Sequence, residues 1–386
     1  MTDIHILSGA RTPIGGFGGS LASLTPIDLA TVAARAALAR ADRSGSDIGT
    51  VVFGHVINTE PRDMYLSRVA ALQAGVPDSV PAMNVNRLCG SGVQAVVSAV
   101  QALLAGDADT ALVGGAECMS RSPYLLPVAR WGQKMGDTGA TDMMTGALTC
   151  PFGTGHMGVT AENVAARHGI TREALEAFAL QSQTRAAQAI ANGWFDAEIT
   201  PVEVSGRKGP TVFARDEHPK ATSPAALSAL KPAFQKDGTV TAGNASGIND
   251  GAAALVLTKG HAAGACARIM GYAVAGVDPR VMGLGPIPAV QALCAKLGMR
   301  PQDFDWVESN EAFAAQAIAV TDELGLDPDR VNPAGGAIAL GHPVGATGAI
   351  LIVKALHALI RTGQRTALIT MCIGGGQGIA LGIERV

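Results

Sequence analysis

The chain has 386 residues, 48% of them hydrophobic and 16% charged, with a net charge of -3 and a mean hydropathy of +0.25. That length predicts roughly two to three domains, the composition excludes disorder, and the slightly acidic balance argues against nucleic acid or an anionic membrane as partner. Glycine stands at 48 of 386 residues, about 12% against a usual ~7%, and aromatics at 4%, so the fold is expected to rely on tight turns and close backbone approach.

The opening stretch MTDIHILSGARTPIGG begins a strand rather than a basic leader and an apolar run, so no signal peptide is expected. A helical run at Ala33 to Leu38 leads to Ser46–Gly54, then VNRLCGSG (Val85 to Gly92), an apolar helix and DTALVGGAE (Asp109 to Glu117). The second half repeats this order. A helical run from Ala289 to Leu297 leads to Gln302–Glu311, VNPAGG (Val331 to Gly336), an apolar helix and RTALITMCIGGG (Arg365 to Gly376). Each half reads as an α/β unit with a mainly parallel sheet.

Between the halves lies an inserted lobe with one amphipathic helix, Arg172 to Ala191, among irregular segments. The expected division is residues 1–118 plus 248–267 for the N-terminal half, 119–247 for the lobe and 268–386 for the C-terminal half. Within the lobe, Ser205 to Gly238 carries Arg207, Lys208, Arg215, Lys220, Lys231 and Lys236 against Asp216, Glu217 and Asp237, locally +3. It is read either as a binding surface for a phosphate-bearing ligand or as a solvated loop face. The most apolar stretch, Ala349 to Ile360, is broken by Lys354 and His357 and is shorter than the ~20 residues of a membrane span, so no membrane partner is expected. The cysteines at 89, 118, 150, 266, 294 and 372 show no metal-ligand spacing, which predicts a reducing cytoplasm and no metal.

Cys89 stands just before the first apolar helix, whose N-terminal N–H groups would stabilise a thiolate and lower the thiol pKa; the alternative is an inert buried cysteine. GHPVGATG (Gly341 to Gly348) occupies the equivalent place in the second half. In a pseudo-two-fold fold the matching helix starts meet near the axis, so His342 is placed to accept the Cys89 proton, or else to serve the turn. Cys372 ends an apolar strand before three glycines whose N–H groups suit an oxyanion hole. Asn310 follows a strand and opens a helix, either orienting a water or a substrate oxygen or capping the helix. HMGVTAEN (His156 to Asn163) and NASGIND (Asn244 to Asp250) read as polar turns leading into helices.

Together, NRLCGSG, HMGVTAENVA, TAGNASGIND, SNEAFAAQA, GGAIALGHPVGATGA and CIGGGQG resemble the thiolases in order, spacing and sequence, from Ala10 to Ile383. TEPRDMYLSRVAA (Thr59 to Ala71) and RWGQKMGD (Arg130 to Asp137) look most like the bacterial β-ketothiolase and acetyl-CoA acetyltransferase branch of that family. The resemblance implies an α/β fold with two pseudo-symmetric halves in an α/β/α/β/α core. It implies reversible Claisen condensation of acyl-CoA with acetyl-CoA, with Cys89 as nucleophile, His342 as its proton acceptor and Cys372 as acid/base on the α-carbon. One oxyanion hole falls to His342 with a water held by Asn310, the other to backbone N–H groups of Cys89 and Gly374.

For coenzyme A the resemblance points to Ser246 near the pantetheine, His156 and Met157 beside the acyl end, Leu148, Met282 and Phe313 lining the pocket, and Lys220 in the basic lobe near the nucleotide. No permanently bound cofactor is implied; CoA thioesters are substrates. A homotetramer, a dimer of dimers, is implied, with Pro123 to Asp137 between dimers, where Leu125, Leu126 and Trp131 suit an interface or fold back onto the lobe. Two alternatives share the fold. A decarboxylating ketoacyl synthase is expected to lack Cys372, and a non-catalytic acyl-CoA-binding protein to have lost Cys89, His342 or Cys372. Lys220 where an arginine is common, Ala226 where a serine is common, a one-residue shortening within Ala221 to Phe234 and the Cys150 loop mark departures that bear on nucleotide contacts and acyl preference.

Overall fold

The computed structural model describes residues 3–207, 209–260 and 263–386; Lys208, one of the six basic lobe residues, lies outside them. The N-terminal half comprises β1 (Ile4–Arg11), α1 (Pro26–Arg40), β2 (Thr50–Gly54), β3 (Ala82–Val85), α2 (Ser91–Ala105) and β4 (Thr110–Cys118). The lobe follows with α3 (Met157–His168) and α4 (Arg172–Ala191), after which β5 (Asn249–Lys259) returns to the first half. The C-terminal half is β6 (Ala267–Gly276), α5 (Pro286–Leu297), β7 (Trp306–Ser309), α6 (Ala314–Glu323), α7 (Thr347–Thr362), β8 (Thr366–Ile373) and β9 (Gln377–Arg385).

Local chemistry sets these boundaries. Thr25 and Asp28 close a capping box ahead of α1, with Pro26 in its first turn. On α4, Leu175, Ala179, Ser182, Ala186 and Ala189 are buried at helical spacing, the stripe that packs it down.

The main strands pair in the order β7-β8-β9-β6-β1-β5-β4-β2-β3. The two halves carry the same arrangement. In the first, β2 runs parallel to β4, β4 antiparallel to β5, and β5 antiparallel to β1; in the second, β7, β8, β9 and β6 repeat those relations. A short antiparallel join between β1 and β6, His5 with Arg268 and Ile6 with Ala267, links them. The expectation of a mainly parallel sheet is corrected, since antiparallel pairings predominate. β8 turns straight back into β9, and the β4-to-β5 connection is the lobe rather than a helical crossover. NASGIND likewise leads into β5, not into a helix.

Five layers result. On β4, Ala111 and Val113 face the central helices while Leu112 and Ala116 face α1, the period-2 alternation of a strand covered on both sides. α5 and α6 cover the outer face of the other half through Val290, Leu293 and Val320. α2 and α7 fill the middle, and Val93, Val96, Val100, Ile350, Val353 and Leu356 meet strands of both halves there. Their first turns interlock. A Cβ on Gly92 would run into the backbone at Gly348 and Ala349, and one on Gly348 into Val93, so only glycine lets the helix starts come this close. The long connection around residues 119–145 projects instead. Leu125, Leu126 and Trp131 are exposed, Trp131 at 87%, which removes the reading in which they fold back onto the lobe.

Candidate active site

The interlocked helix starts place Cys89 and His342 in one cavity. Leu88, immediately before the nucleophile candidate, has φ +47°, a conformation that is strained for leucine. Asn86 Oδ1 holds it by accepting from the Leu88 N–H at 2.9 Å, and Ser91 Oγ accepts from Arg87 N at 2.9 Å while donating to Leu88 O at 2.6 Å. The turn presents the Cys89 sulfur toward two backbone N–H groups, its own and that of Gly374.

The expected lowering of the Cys89 pKa is corrected. Its open surface faces the cavity rather than bulk water, and burial pushes the thiol up to about 11, more than the N–H groups of Gly374 and Cys89 pull it down. Cys372, in β8 and 1% exposed, is likewise pushed up by burial and then by the neighbouring Cys89, since two thiolates so close repel. Both sulfurs therefore rest as thiols.

His342 occupies the loop before α7 and is buried. Its Nδ1 stands 2.7 Å from Thr347 Oγ1, whose own proton goes to Pro343 O at 2.8 Å. Since that carbonyl can only accept, His342 Nδ1 must donate, which leaves Nε2 unprotonated and free to take a proton. The side-chain amide nitrogen of Asn310 lies 3.5 Å from Nε2, and Asn310 Oδ1 has no partner among the described residues. Asn310 is no helix cap, because Phe313 occupies that position on α6.

Burial depresses the His342 pKa from 6.5 to about 4. The neutral form is therefore favoured on folding: the stability it preserves is present above pH 6.5 and is lost as pH falls from 6.5 to about 4, the range in which the unfolded chain binds the proton more readily than the folded one. The loss attributable to this residue is expected to reach up to about 3 kcal/mol. Urea unfolding between pH 7 and 4 should show a shallower acid slope for His342→Asn than for the native chain; parallel slopes would contradict it.

The cavity measures about 650 Å³. Cys89, His342, Cys372 and Gly374 all line it, with the Gly374 N–H against the Cys89 sulfur and Cys372 beside Cys89, and Leu148, His156, Met157, Lys220, Ser246, Met282 and Phe313 line it too. Of the catalytic and CoA-binding candidates, only Asn310 is not among the lining residues; its amide nitrogen stands 3.5 Å from His342 Nε2. Among the basic lobe residues described, Lys220 alone reaches the cavity; Arg207, Arg215, Lys231 and Lys236 are exposed elsewhere.

Several contributors went unnoticed in the sequence. Phe234 stacks on His156 with ring centres 4.7 Å apart. Arg11, wholly buried, grips Asp216 with two hydrogen bonds of 2.7 and 2.9 Å, and Glu217 accepts from the backbone of Gly16 and Ser20, so the segment carrying His218 and Lys220 is fixed to the first half. Thr347 sets the histidine tautomer. Its signal was present in GHPVGATG as a hydroxyl five residues after the histidine, whereas the Arg11–Asp216 pairing spans 205 residues and had none.

Comparison with known proteins shows the family. Residues 4–261 match the family model "Thiolase, N-terminal domain" and residues 263–385 "Thiolase, C-terminal domain". The chain is 55% identical to "Beta-ketothiolase BktB" of Cupriavidus necator, covering 100% of this chain and 99% of the relative, and 49% identical to an "Acetyl-CoA acetyltransferase" of Escherichia coli over the whole of both. Its structure is similar to human mitochondrial 3-ketoacyl-CoA thiolase, with TM-score 0.98, 42% identity and coverage of 100% and 99%. A complex of that protein with CoA gives 0.97, 41%, 100% and 98%.

Proposed function

The chain belongs to the thiolase family, and from that premise we propose that Cys89, His342 and Cys372 carry its reaction. The enzyme is an acyltransferase that runs the reversible Claisen condensation of acyl-CoA with acetyl-CoA through an acyl-cysteine. The observation that supports these roles is the shared cavity, lined by two thiols, a neutral imidazole with Nε2 free and the Gly374 N–H.

In the first half-reaction the Cys89 sulfur bonds to the thioester carbonyl carbon, and its proton passes to His342 Nε2. Negative charge on the thioester oxygen is met by the N–H groups of Cys89 and Gly374. The carbon–sulfur bond to CoA then breaks, and the departing thiolate takes the proton of Cys372. Once acylated, Cys89 can no longer ionise, so no second thiolate competes with that of Cys372. In the second half-reaction the Cys372 thiolate removes an α-proton from acetyl-CoA, while the His342 imidazolium, with Asn310 behind it, stabilises the enolate oxygen. The carbanion displaces Cys89, which recovers its proton from His342. Thiolysis runs the same steps backward.

CoA enters along the lobe, with Ser246, His156, Met157, Leu148, Met282 and Phe313 around the pantetheine and acyl group and Lys220 toward the nucleotide. No permanently bound cofactor is needed, because every proton and electron pair in these steps is supplied by substrate or side chain. The projecting loop with Trp131 supports a homotetramer, a dimer of dimers. A two-halves-plus-lobe division and a cytoplasmic location belong to the same reading.

Incubation with acetyl-CoA alone is expected to add one acetyl group, which peptide mass spectrometry should locate on Cys89 and which added CoA should remove. An unmodified Cys89 with acetyl on another residue would sink the assignment.

A further inference from the structure

Glu117, next to the last residue of β4, is wholly buried, and burial raises its carboxyl pKa. Holding a carboxylate so far from water is costly unless its hydrogen bonds are specific. Among the described residues no lysine or arginine pairs with it. Its partners are backbone groups from two separate loops. Val56 N and Ile57 N, just after β2, donate to it at 3.1 Å each, and Gly345 N donates at 3.0 Å. His55 Nδ1 donates to Ala116 O at 2.9 Å and lies 3.4 Å from the Glu117 carboxylate.

Both loops belong to the cavity. Val56 lines the same cavity as Cys89. Gly345 lies three residues after His342 and two before Thr347, whose hydroxyl fixes the imidazole tautomer. A Cβ on Gly345 would strike Glu117 Oε2 and the His55 Cα, so this loop rests directly on the carboxylate. One side chain thus fastens the imidazole-bearing loop of the second half to the wall of the first. A hydrogen-bonded tie between loops, with no bearing on chemistry, would need none of this placement.

We propose that Glu117 is a positioning residue for His342: by accepting from Gly345 N together with Val56 N and Ile57 N, it sets where His342 Nε2 stands relative to the Cys89 sulfur. The inference rests on the reading of His342 as proton acceptor. Its effect is on reaction geometry, where a displacement of about 1 Å can cost about 10²-fold.

Glu117→Gln keeps the shape but turns an NH₂ group toward a backbone donor. Thiolysis of acetoacetyl-CoA is expected to lose kcat by about 10²-fold with KM for CoA and acetoacetyl-CoA unchanged. In the His342→Asn background the same substitution should cost almost nothing more, because there is no imidazole left to place. A merely structural tie would lower activity equally in both backgrounds, and that additive result overturns the assignment, as does an unchanged kcat in Glu117→Gln. If His342→Asn alone keeps full activity, it is the reading of His342 that falls; if His342→Asn is crippled and the losses add, only the role of Glu117 falls. Should Glu117→Gln fail to fold, Gly345→Ala carries the test by displacing the same loop: it should show the same kcat loss, absent in the His342→Asn background, and additive losses overturn the proposal.

Discussion

Replacing Cys372 by serine is expected to leave an enzyme that still takes an acetyl group onto Cys89 but condenses acetyl-CoA about 10³ to 10⁴-fold more slowly, within the range for loss of a general base. The asymmetry follows from the proton inventory. Acylation needs a thiol, a proton acceptor and an oxyanion hole, all of which survive, and the His342 imidazolium can protonate the departing CoA in place of Cys372. Carbon deprotonation has no such substitute. A thiolate at Cys372, although raised by burial, is reachable once Cys89 is acylated, whereas a serine alkoxide in the same buried place is not. Stopped-flow release of CoA from acetyl-CoA, compared with steady-state condensation, separates the two. Equal loss in both would contradict the division of labour between the sulfurs.

Cys89→Ala is expected to have the larger effect, at least about 10⁴-fold on kcat in either direction, because the covalent route disappears rather than slows. Folding should hardly change. Cys89 is only partly buried where it packs against the core, and the side chains of Asn86 and Ser91 secure the 87–91 turn. Thermal unfolding within a few degrees of the native chain, with no acetylation by acetyl-CoA, is the expected pair of results. Residual turnover near native rates would show that another group attacks the thioester.

What could be read from the chain depended on how local the physics was. The repeated order of strand, glycine loop and apolar helix is written in short segments, so both halves and the lobe helix Arg172–Ala191 were visible. Strand direction was not, since nothing in residues 110–118 says that their neighbour arrives from 249–259. Cys89, His342, Cys372 and Gly374 were legible because their loops carry motif chemistry, and the resemblance supplied Leu148, His156, Met157, Lys220, Ser246, Met282 and Phe313, whereas Phe234 and Val56 were not read. The sign of the Cys89 pKa was not, because a helix start speaks for a thiolate while the opposing burial comes from the whole fold. Glu117 stood in plain view in DTALVGGAE, yet its meaning depends on Gly345, 228 residues away.

The central pair of helices also governs the order in which the molecule assembles. β1 cannot gain its main partner until residues 249–259 exist, and α2 has no cover on its second side until residues 347–362 follow. With synthesis at about 5–20 residues per second, the first strand waits on the order of ten to fifty seconds beside an apolar helix that nothing yet shields. Contacts of such sequence separation close slowly. The nascent chain is therefore most vulnerable to aggregation late in translation, and a chaperone that holds α2 until α7 emerges would shield the helix that begins beside Cys89.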